Sequence, residues 1–421
     1  AEGTRFTDFS MASSICTPSR AAMLTGCYPQ RLSLNNVLFP GDANGLHPEE
    51  ETIASMLKRE GYSTALIGKW HLGDQPEFLP GSFGFDRYFG IPFSNDMGRQ
   101  VGDSPEKAPL PLLKDSSVIE EQPEQSGLTA RYVEESLEFM RDSMRTKTPF
   151  FLYFAHMYVH LPLYVPEAFM RDSQNGRYGG AVACIDWAWN QLDAELERLG
   201  LKENTIVIFT SDNGSRAGGE GGSNAPFRGG KFTTWEGGFR LPLIVRWPHN
   251  RGVPGGRVCP QSITSLDLLP TLAAIVGTEP NSRGPIDGLD CSDLLKGGST
   301  SLRDTFAYFS LGNLAAIRQG QYKLHFCRRT GFGKPFVSCR ELYDLANDPG
   351  EEQNLVNHLP DVVARLEKAA DLFRVELGDA FVNQAGNSVR SCGFSPNPKK
   401  LTEYREDNAY VVAEYDLADR G

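Results

Sequence analysis

Three continuous apolar runs constrain the fold of this chain more than any other feature: Ser63-Thr64-Ala65-Leu66-Ile67, Phe150-Phe151-Leu152-Tyr153-Phe154 and Thr205-Ile206-Val207-Ile208-Phe209. Each follows a segment with helical periodicity. The first helix is expected over about residues 48–60, with Ile53, Met56 and Leu57 on one face and Gly61 as its stop. The second spans about 129–145, with Val133, Leu137, Met140 and Met144. The third carries Val182, Ile185, Trp189, Leu192, Leu196 and Leu199 before Gly200. Strands that are apolar throughout, rather than at every second position, are buried on both faces. The pattern therefore predicts an α/β fold, a mostly parallel sheet flanked by helices.

Leu241-Pro242-Leu243-Ile244-Val245 predicts a further strand, and residues 266–276 a further helix. From about Leu302 the texture changes to shorter alternating segments, such as Ala315-Ala316-Ile317-Arg318 and Tyr322-Lys323-Leu324-His325-Phe326. A last amphipathic helix is expected over 360–377. At 421 residues the chain exceeds what one core usually supports. We therefore expect a large α/β domain over 1–300 and a smaller α+β subdomain of antiparallel strands and a helix over 301–421.

The net charge of −11 argues against general nucleic-acid binding, and no apolar run reaches the length of a membrane span. If the ligand is an anion, the positive charge that meets it must come from a few focused groups. There are eight cysteines and no zinc-type spacing. Cys327 and Cys339 are close enough in sequence to staple a hairpin, but spacing does not fix connectivity.

In open α/β sheets, sites form beyond the carboxyl ends of strands. The first apolar strand runs into Gly68-Lys69-Trp70-His71-Leu72-Gly73, the second towards His156 and His160, and the third into Ser211-Asp212-Asn213-Gly214. A Gly-rich loop, Gly229-Gly230-Lys231-Phe232-Thr233-Thr234-Trp235-Glu236-Gly237-Gly238, then delivers Lys231. Singly, each has a structural reading: a solvated lysine, a hydrogen-bonded histidine, an ordinary Asp-Asn-Gly turn. All of those readings would have to hold at three strand ends at once. The loop does not match a phosphate-binding glycine pattern.

Cys16-Thr17-Pro18-Ser19-Arg20 leads into Ala21-Ala22-Met23-Leu24-Thr25-Gly26. Thr17 is a good N-cap, Pro18 suits a first turn, and the alanines and leucine favour helix. Cys16 is thus expected at a helix mouth, where free N–H groups and the macrodipole favour an anion. Arg20 adds positive charge one turn in, and a thiol so placed is reactive. By itself the same cysteine also reads as a small buried thiol.

The stretch from Cys16 to Gly26 resembles the signature of the type I, formylglycine-dependent sulfatases, in the branch of arylsulfatase A. Gly68 to Gly73 is similar to that family's second signature, whose lysine and histidine hold the sulfate and the active aldehyde hydrate. His160, in His-Leu-Pro, matches the histidine at the sulfate ester, while the residues alone do not decide between it and His156. Asp212 and Asn213 match metal ligands, and Lys231 a lysine that reaches the sulfate. Ser94, in Gly90-Ile91-Pro92-Phe93-Ser94-Asn95-Asp96, resembles a substrate-side position. Leu342-Tyr343-Asp344-Leu345 with Asp348-Pro349-Gly350-Glu351 resembles the signature of the C-terminal subdomain. The resemblance implies an alkaline-phosphatase-like fold, Cys16 modified to formylglycine by a maturation enzyme, and a divalent metal, Ca2+ with Mg2+ as the alternative. It implies hydrolysis of a sulfated carbohydrate or aryl sulfate in an exported protein. In that scheme one hydroxyl of the hydrate attacks sulfur, His160 protonates the leaving oxygen, and the second hydroxyl, aided by His71, expels sulfate. Arg20, Lys69 and Lys231 spread positive charge over the sulfate oxygens.

The family's metal site also takes an Asp-Asp pair from its first strand. Before Cys16 this sequence holds only Glu2 and Asp8, so the pair is expected upstream of residue 1, with any signal peptide. Rival expectations are a phosphodiesterase or phosphonate hydrolase of the same superfamily, or a silent binder of sulfated glycans. Substrate choice is expected on loops such as 95–125 and 328–340, where related proteins vary.

Overall fold

A computed structural model describes residues 2–100, 103–104, 107–247, 254–300 and 302–411. Ala1, and residues 101, 102, 105 and 106 of the expected 95–125 specificity loop, lie outside the described residues. The chain forms two compact units. One comprises Ala1–Val37, Glu203–Ala217 and Ser223–Cys392; the other comprises Leu38–Lys202, Gly218–Gly222 and Gly393–Gly421.

In the first unit, strand Thr4–Ser10 pairs antiparallel with Arg240–Arg246 and parallel with Arg257–Cys259 and Ile263–Thr264. Val207–Phe209 adds to the other side of Arg240–Arg246, again antiparallel. Helices Cys16–Thr25 and Leu268–Val276 belong to the same unit. So does an antiparallel sheet of four strands, Thr305–Ser310, Asn313–Gln319, Tyr322–Arg328 and Val337–Asp344. Helix Pro360–Leu377 packs Val363, Leu366, Ala370 and Leu377 into a core with Phe306, Ile317, Leu324 and Leu342. Ala22 and Tyr28, from the helix that begins at Cys16 and just after it, share that core. The Cys16 helix and the antiparallel sheet are therefore held by one apolar cluster, and residue 300 falls within this unit.

The second unit holds a five-stranded sheet in the order Ser117–Glu121, Pro111–Lys114, Arg87–Gly90, Ser63–Gly68, Phe150–Ala155. Ser63–Gly68 is parallel to both of its neighbours. Helices Ile53–Arg59, Leu128–Thr146 and Gly176–Arg198 belong to this unit. Its core includes Ile67, Phe89, Ile91, Leu128, Tyr132, Leu163 and Ala181.

The architecture is α/β: mixed sheets with flanking helices and an antiparallel subdomain. Some details differ from the sequence pattern. Two of the three apolar runs are parallel neighbours, but the third, shortened to Val207–Phe209, pairs antiparallel in the other unit and leaves Phe209 48% exposed. An apolar run announces a strand without naming its partner. The first helix starts at Ile53, not near residue 48, because Thr52 and Ser55 form a capping box that stops it from extending back through Glu49, Glu50 and Glu51. None of the eight cysteines is in a disulfide. Cys327 and Cys339 lie on adjacent antiparallel strands, and burial pushes both thiols up to about 12. Among the described residues no helix is long and apolar enough to cross a membrane.

Candidate active site

Cys16 is the first residue of its helix. The N-cap is Ile15 in extended conformation, so Thr17 is not the cap, as its residue type suggested; it is fully buried inside the first turn. Gly26 closes the helix with φ 67° and donates its N–H to Ala22 O at 2.9 Å. All ten helix residues are buried, and the lead-in is pinned: Met11 N–H to Phe239 O at 2.9 Å, Ala12 N–H to Ser265 Oγ at 3.1 Å, Ser19 Oγ to Ser13 O at 2.7 Å. A side chain at the start of so constrained a helix has little freedom to move.

The turn after Val207–Phe209 comes to this helix mouth. Cys16 Sγ lies 3.7 Å from Asn213 Oδ1, and Arg20 Nε donates to Asp212 Oδ2 at 2.9 Å. Gly214 makes the close approach possible: a Cβ there would lie 1.8 Å from Gly237 O. Lys231 reaches the same unit on a loop stitched to both segments, with Lys231 N–H to Ser215 O at 3.0 Å and Phe232 N–H to Ser14 O at 3.2 Å. The Lys231 side chain is 9% exposed, and among the described residues no carboxylate pairs with its ammonium. A buried cation without an acid partner is costly unless an anion completes it. The segments that carry Cys16, Arg20, Asp212, Asn213 and Lys231 are thus held together by backbone and side-chain hydrogen bonds between residues far apart in sequence.

The other side of the loop is held by a buried ionic cluster that sequence reading did not single out. Glu351 Oε2 accepts the N–H of Glu236 at 2.7 Å, and its Oε1 pairs with Lys323 Nζ at 3.0 Å and His325 Nε2 at 2.8 Å. Lys323 also donates to Glu236 Oε1 at 3.0 Å and to Thr234 O at 3.2 Å. Burial alone would raise the Glu351 carboxyl, but Lys323 and His325 outweigh it and hold it below its usual range. His325 is pushed down by burial and stays neutral at pH 7.

The remaining expected residues belong to the second unit. Gly68 ends the Ser63–Gly68 strand with φ 119°, where a Cβ would sit 2.1 Å from Ala155 O. Backbone bonds hold the residues after it, with Lys69 N–H to Ala155 O at 2.8 Å and His71 N–H to Pro92 O at 2.9 Å. Lys69 Nζ donates to Ser94 Oγ at 2.7 Å, both residues being buried. Ser94 therefore touches the lysine first. His71 lies with Nε2 3.0 Å from Leu38 O.

The two histidines after the Phe150–Ala155 strand differ sharply. His156 is buried, accepts the Tyr158 N–H at Nδ1 (2.9 Å) and donates from Nε2 to Thr129 Oγ1 (2.9 Å). Burial lowers it to about 3, so it is a neutral core residue at pH 7. His160 has a side chain 20% exposed, and its Nδ1–H donates towards Leu161 O (2.6 Å) and Asn95 Oδ1 (3.2 Å). Asn95, 1% exposed, is in turn fixed by its Nδ2 to Gln125 Oε1 and Pro162 O, both at 3.0 Å. Leu161 O and Asn95 Oδ1 together favour the tautomer with the proton on Nδ1, and Asn95 was missed in the sequence, although it comes directly after Ser94.

Asp212 and Asn213 are hard oxygen donors of the kind calcium and magnesium use. Calcium takes about six to eight such oxygens, and among the described residues no group of three His, Cys, Asp or Glu side chains could hold a metal. The donor chemistry fits a metal, but these two residues do not by themselves complete a site.

Comparison with known proteins identifies the family. The Sulfatase family model matches residues 1–278, and that of the N-sulphoglucosamine sulphohydrolase C-terminal region matches residues 230–374. Arylsulfatase A of Homo sapiens is 38% identical, over 90% of this chain and 82% of its own length. N-acetylgalactosamine-6-sulfatase of Canis lupus familiaris is also 38% identical, over 80% of this chain and 67% of its own. Among solved structures, the PsFucS1 sulfatase from Pseudoalteromonas sp. superposes with a TM-score of 0.80 at 27% identity, over 88% of this chain and 82% of the other. The chain belongs to the sulfatase family. It is a sulfuric ester hydrolase of the arylsulfatase type, releasing sulfate from an ester; members of the family generally use a divalent metal.

Proposed function

We propose that this enzyme cleaves a sulfate ester of a carbohydrate through formylglycine made from Cys16. The observation that carries the reading is the placement of Cys16 at the first position of a buried helix, 3.7 Å from Asn213, with Arg20 bound to Asp212 one turn further on. Formylglycine supplies a hydrated aldehyde, with one hydroxyl to take the sulfate and a second whose proton loss releases it. Arg20 and Lys231 offer positive charge to the sulfate oxygens, and Lys69, held by Ser94, is assigned the same role. His160, with Nδ1–H committed to carbonyl oxygens, is assigned the proton given to the leaving alcohol. His71 is assigned the proton removed in the release step, and Asn95 orients His160.

The metal is assigned as calcium, with magnesium the alternative, at Asp212 and Asn213. A carbohydrate ester is preferred because relatives are named for sugar sulfates, and a structure at 27% identity, Ps i-CgsB, was solved with k-i-k-neocarrahexaose. A formylglycine-generating enzyme as maturation partner, an exported location, and a catalytic part over 1–300 with a subdomain over 301–421 complete the proposal.

The test is Cys16→Ser in the complete protein. A serine can accept sulfate once but has no second hydroxyl for release, so a single turnover at most is expected. Repeated turnover by Cys16→Ser would show that the modified cysteine is not the nucleophile's source.

A further inference from the structure

Arg328 ends strand Tyr322–Arg328 and Arg329 opens the loop that leads to strand Val337–Asp344, and the structure treats the two differently. Arg328 Nη1 donates to Glu341 Oε1 at 2.8 Å, an ordinary ion pair. Arg329 is 8% exposed, and among the described residues no carboxylate pairs with it. Its Nε donates to Lys334 O at 3.1 Å, its N–H to Thr234 Oγ1 at 3.4 Å, and its guanidinium lies over the Phe336 ring, 5.8 Å from the centroid. Burial with nothing to offset it lowers this group from the usual guanidinium range. A largely buried positive charge without a counter-charge is incompletely solvated, and an incoming anion completes it.

The same loop presents Phe332, 73% exposed, between Gly331 and Gly333. Its ring centre is 5.0 Å from that of Phe232, which is itself 5.2 Å from Lys231 Nζ. Phe232 adopts φ 70°, a conformation a bulky side chain rarely takes, and such strain is tolerated where surrounding contacts impose it. An aromatic face that is left to solvent beside the sulfate-facing lysine suits the C–H face of a pyranose ring. Arg329 and exposed Lys334 belong to the same loop as Phe332 and suit an anion on that ring or the next.

We infer that Phe232, Phe332 and Arg329 form a subsite next to Lys231 for a saccharide with a second anionic group, a carboxylate or a further sulfate, besides the ester that is cleaved. The inference rests on the sulfatase reading above, since Lys231 is taken to face the cleaved group.

Equilibrium binding to the full-length Cys16→Ala protein tests it, with three probes: a hexosamine 6-sulfate, the same sugar with a second sulfate, and the same sulfated sugar joined to a uronic acid. The two doubly charged probes are expected to bind about tenfold more tightly than the monosulfate, as one charge-assisted contact provides. Adding Arg329→Gln is expected to bring that ratio close to one. Adding Phe332→Ala is expected to weaken all three alike. Because the ratio is read within one protein, partial misfolding of a variant cancels. A ratio near one in the parent, or one unmoved by Arg329→Gln, overturns the inference. A preference for only one of the doubly charged probes keeps it and identifies the anion. Sulfate release by the unsubstituted enzyme is measured on the same probes. Release without any anion preference overturns the subsite alone, whereas preference without release overturns the sulfatase reading and leaves the anion subsite standing.

Discussion

Arg20 Nε donates to Asp212 Oδ2 at 2.9 Å, a contact between a helix and a turn 192 residues apart that sets the geometry at Cys16. With the arginine side chain 6% exposed and the aspartate 20%, water screens the pair little. Arg20→Ala removes a preorganised donor beside Cys16, the proposed source of the nucleophile, so kcat for sulfate ester hydrolysis is expected to fall about 10²–10³-fold. Steady-state sulfate release measures it. A loss under fivefold would mean that Arg20 serves only to pack the helix.

Lys69 and Ser94 invite a smaller experiment. Their 2.7 Å bond is buried, and Ser94→Ala leaves one hydrogen of the ammonium without that acceptor. The expected cost is about 1–3 kcal/mol in unfolding free energy. With the ammonium less well aimed, KM should rise severalfold. Denaturant titration and initial rates together read both, and an unchanged KM would show that the serine does not aim the lysine.

Glu351 ties the antiparallel sheet to the Lys231 loop through the Glu236 N–H, 2.7 Å away, and through Lys323 and His325. Removing one member of a buried ion cluster leaves the others uncompensated. Glu351→Ala is therefore expected to destabilise the protein by about 3–5 kcal/mol. Urea unfolding measures this. A change below about 1 kcal/mol would place the cluster among ion pairs that water already reaches.

What could be read from the sequence was local. The helix Pro360–Leu377 was bounded correctly because Pro360 can open a helix and Gly378 can follow one. Cys16 was placed at a helix mouth for the same reason, with only the cap misassigned. The start of the helix at Ile53 was missed because the Thr52–Ser55 capping box competes with a run of glutamates that also favours helix. The larger omissions were long-range. Asn95 meets His160 across 65 residues, and Glu351 meets Glu236 across 115. Arg328 and Arg329 are adjacent in sequence, yet among the described residues only Arg328 finds a carboxylate. Neither propensity nor spacing carries such pairings, which depend on how separate strands come to lie together. Where motifs were long, as at Gly68 to Gly73, the residues could be named but not their partners: Ser94 for Lys69, Leu38 O for His71.

His156 provides a test that separates a core histidine from a catalytic one. Burial among Tyr132, Phe154 and Tyr158 lowers it to about 3 from an ordinary 6.5. Between those values the unfolded chain holds a proton that the folded chain does not, so stability rises with pH. This contribution is fully present above 6.5 and is lost as pH falls towards 3. The slope from this one group is at most about 1.4 kcal/mol per pH unit. His156→Gln keeps an acceptor for the Tyr158 N–H and a donor for Thr129 Oγ1 while removing the titration. Unfolding free energies at pH 7 and pH 4.5 should therefore differ less in this variant than in the parent. Its sulfate release at pH 7 should match the parent's, because a core histidine takes no step in the reaction. An unchanged stability difference would show that His156 takes up its proton in the folded state as readily as in the unfolded chain.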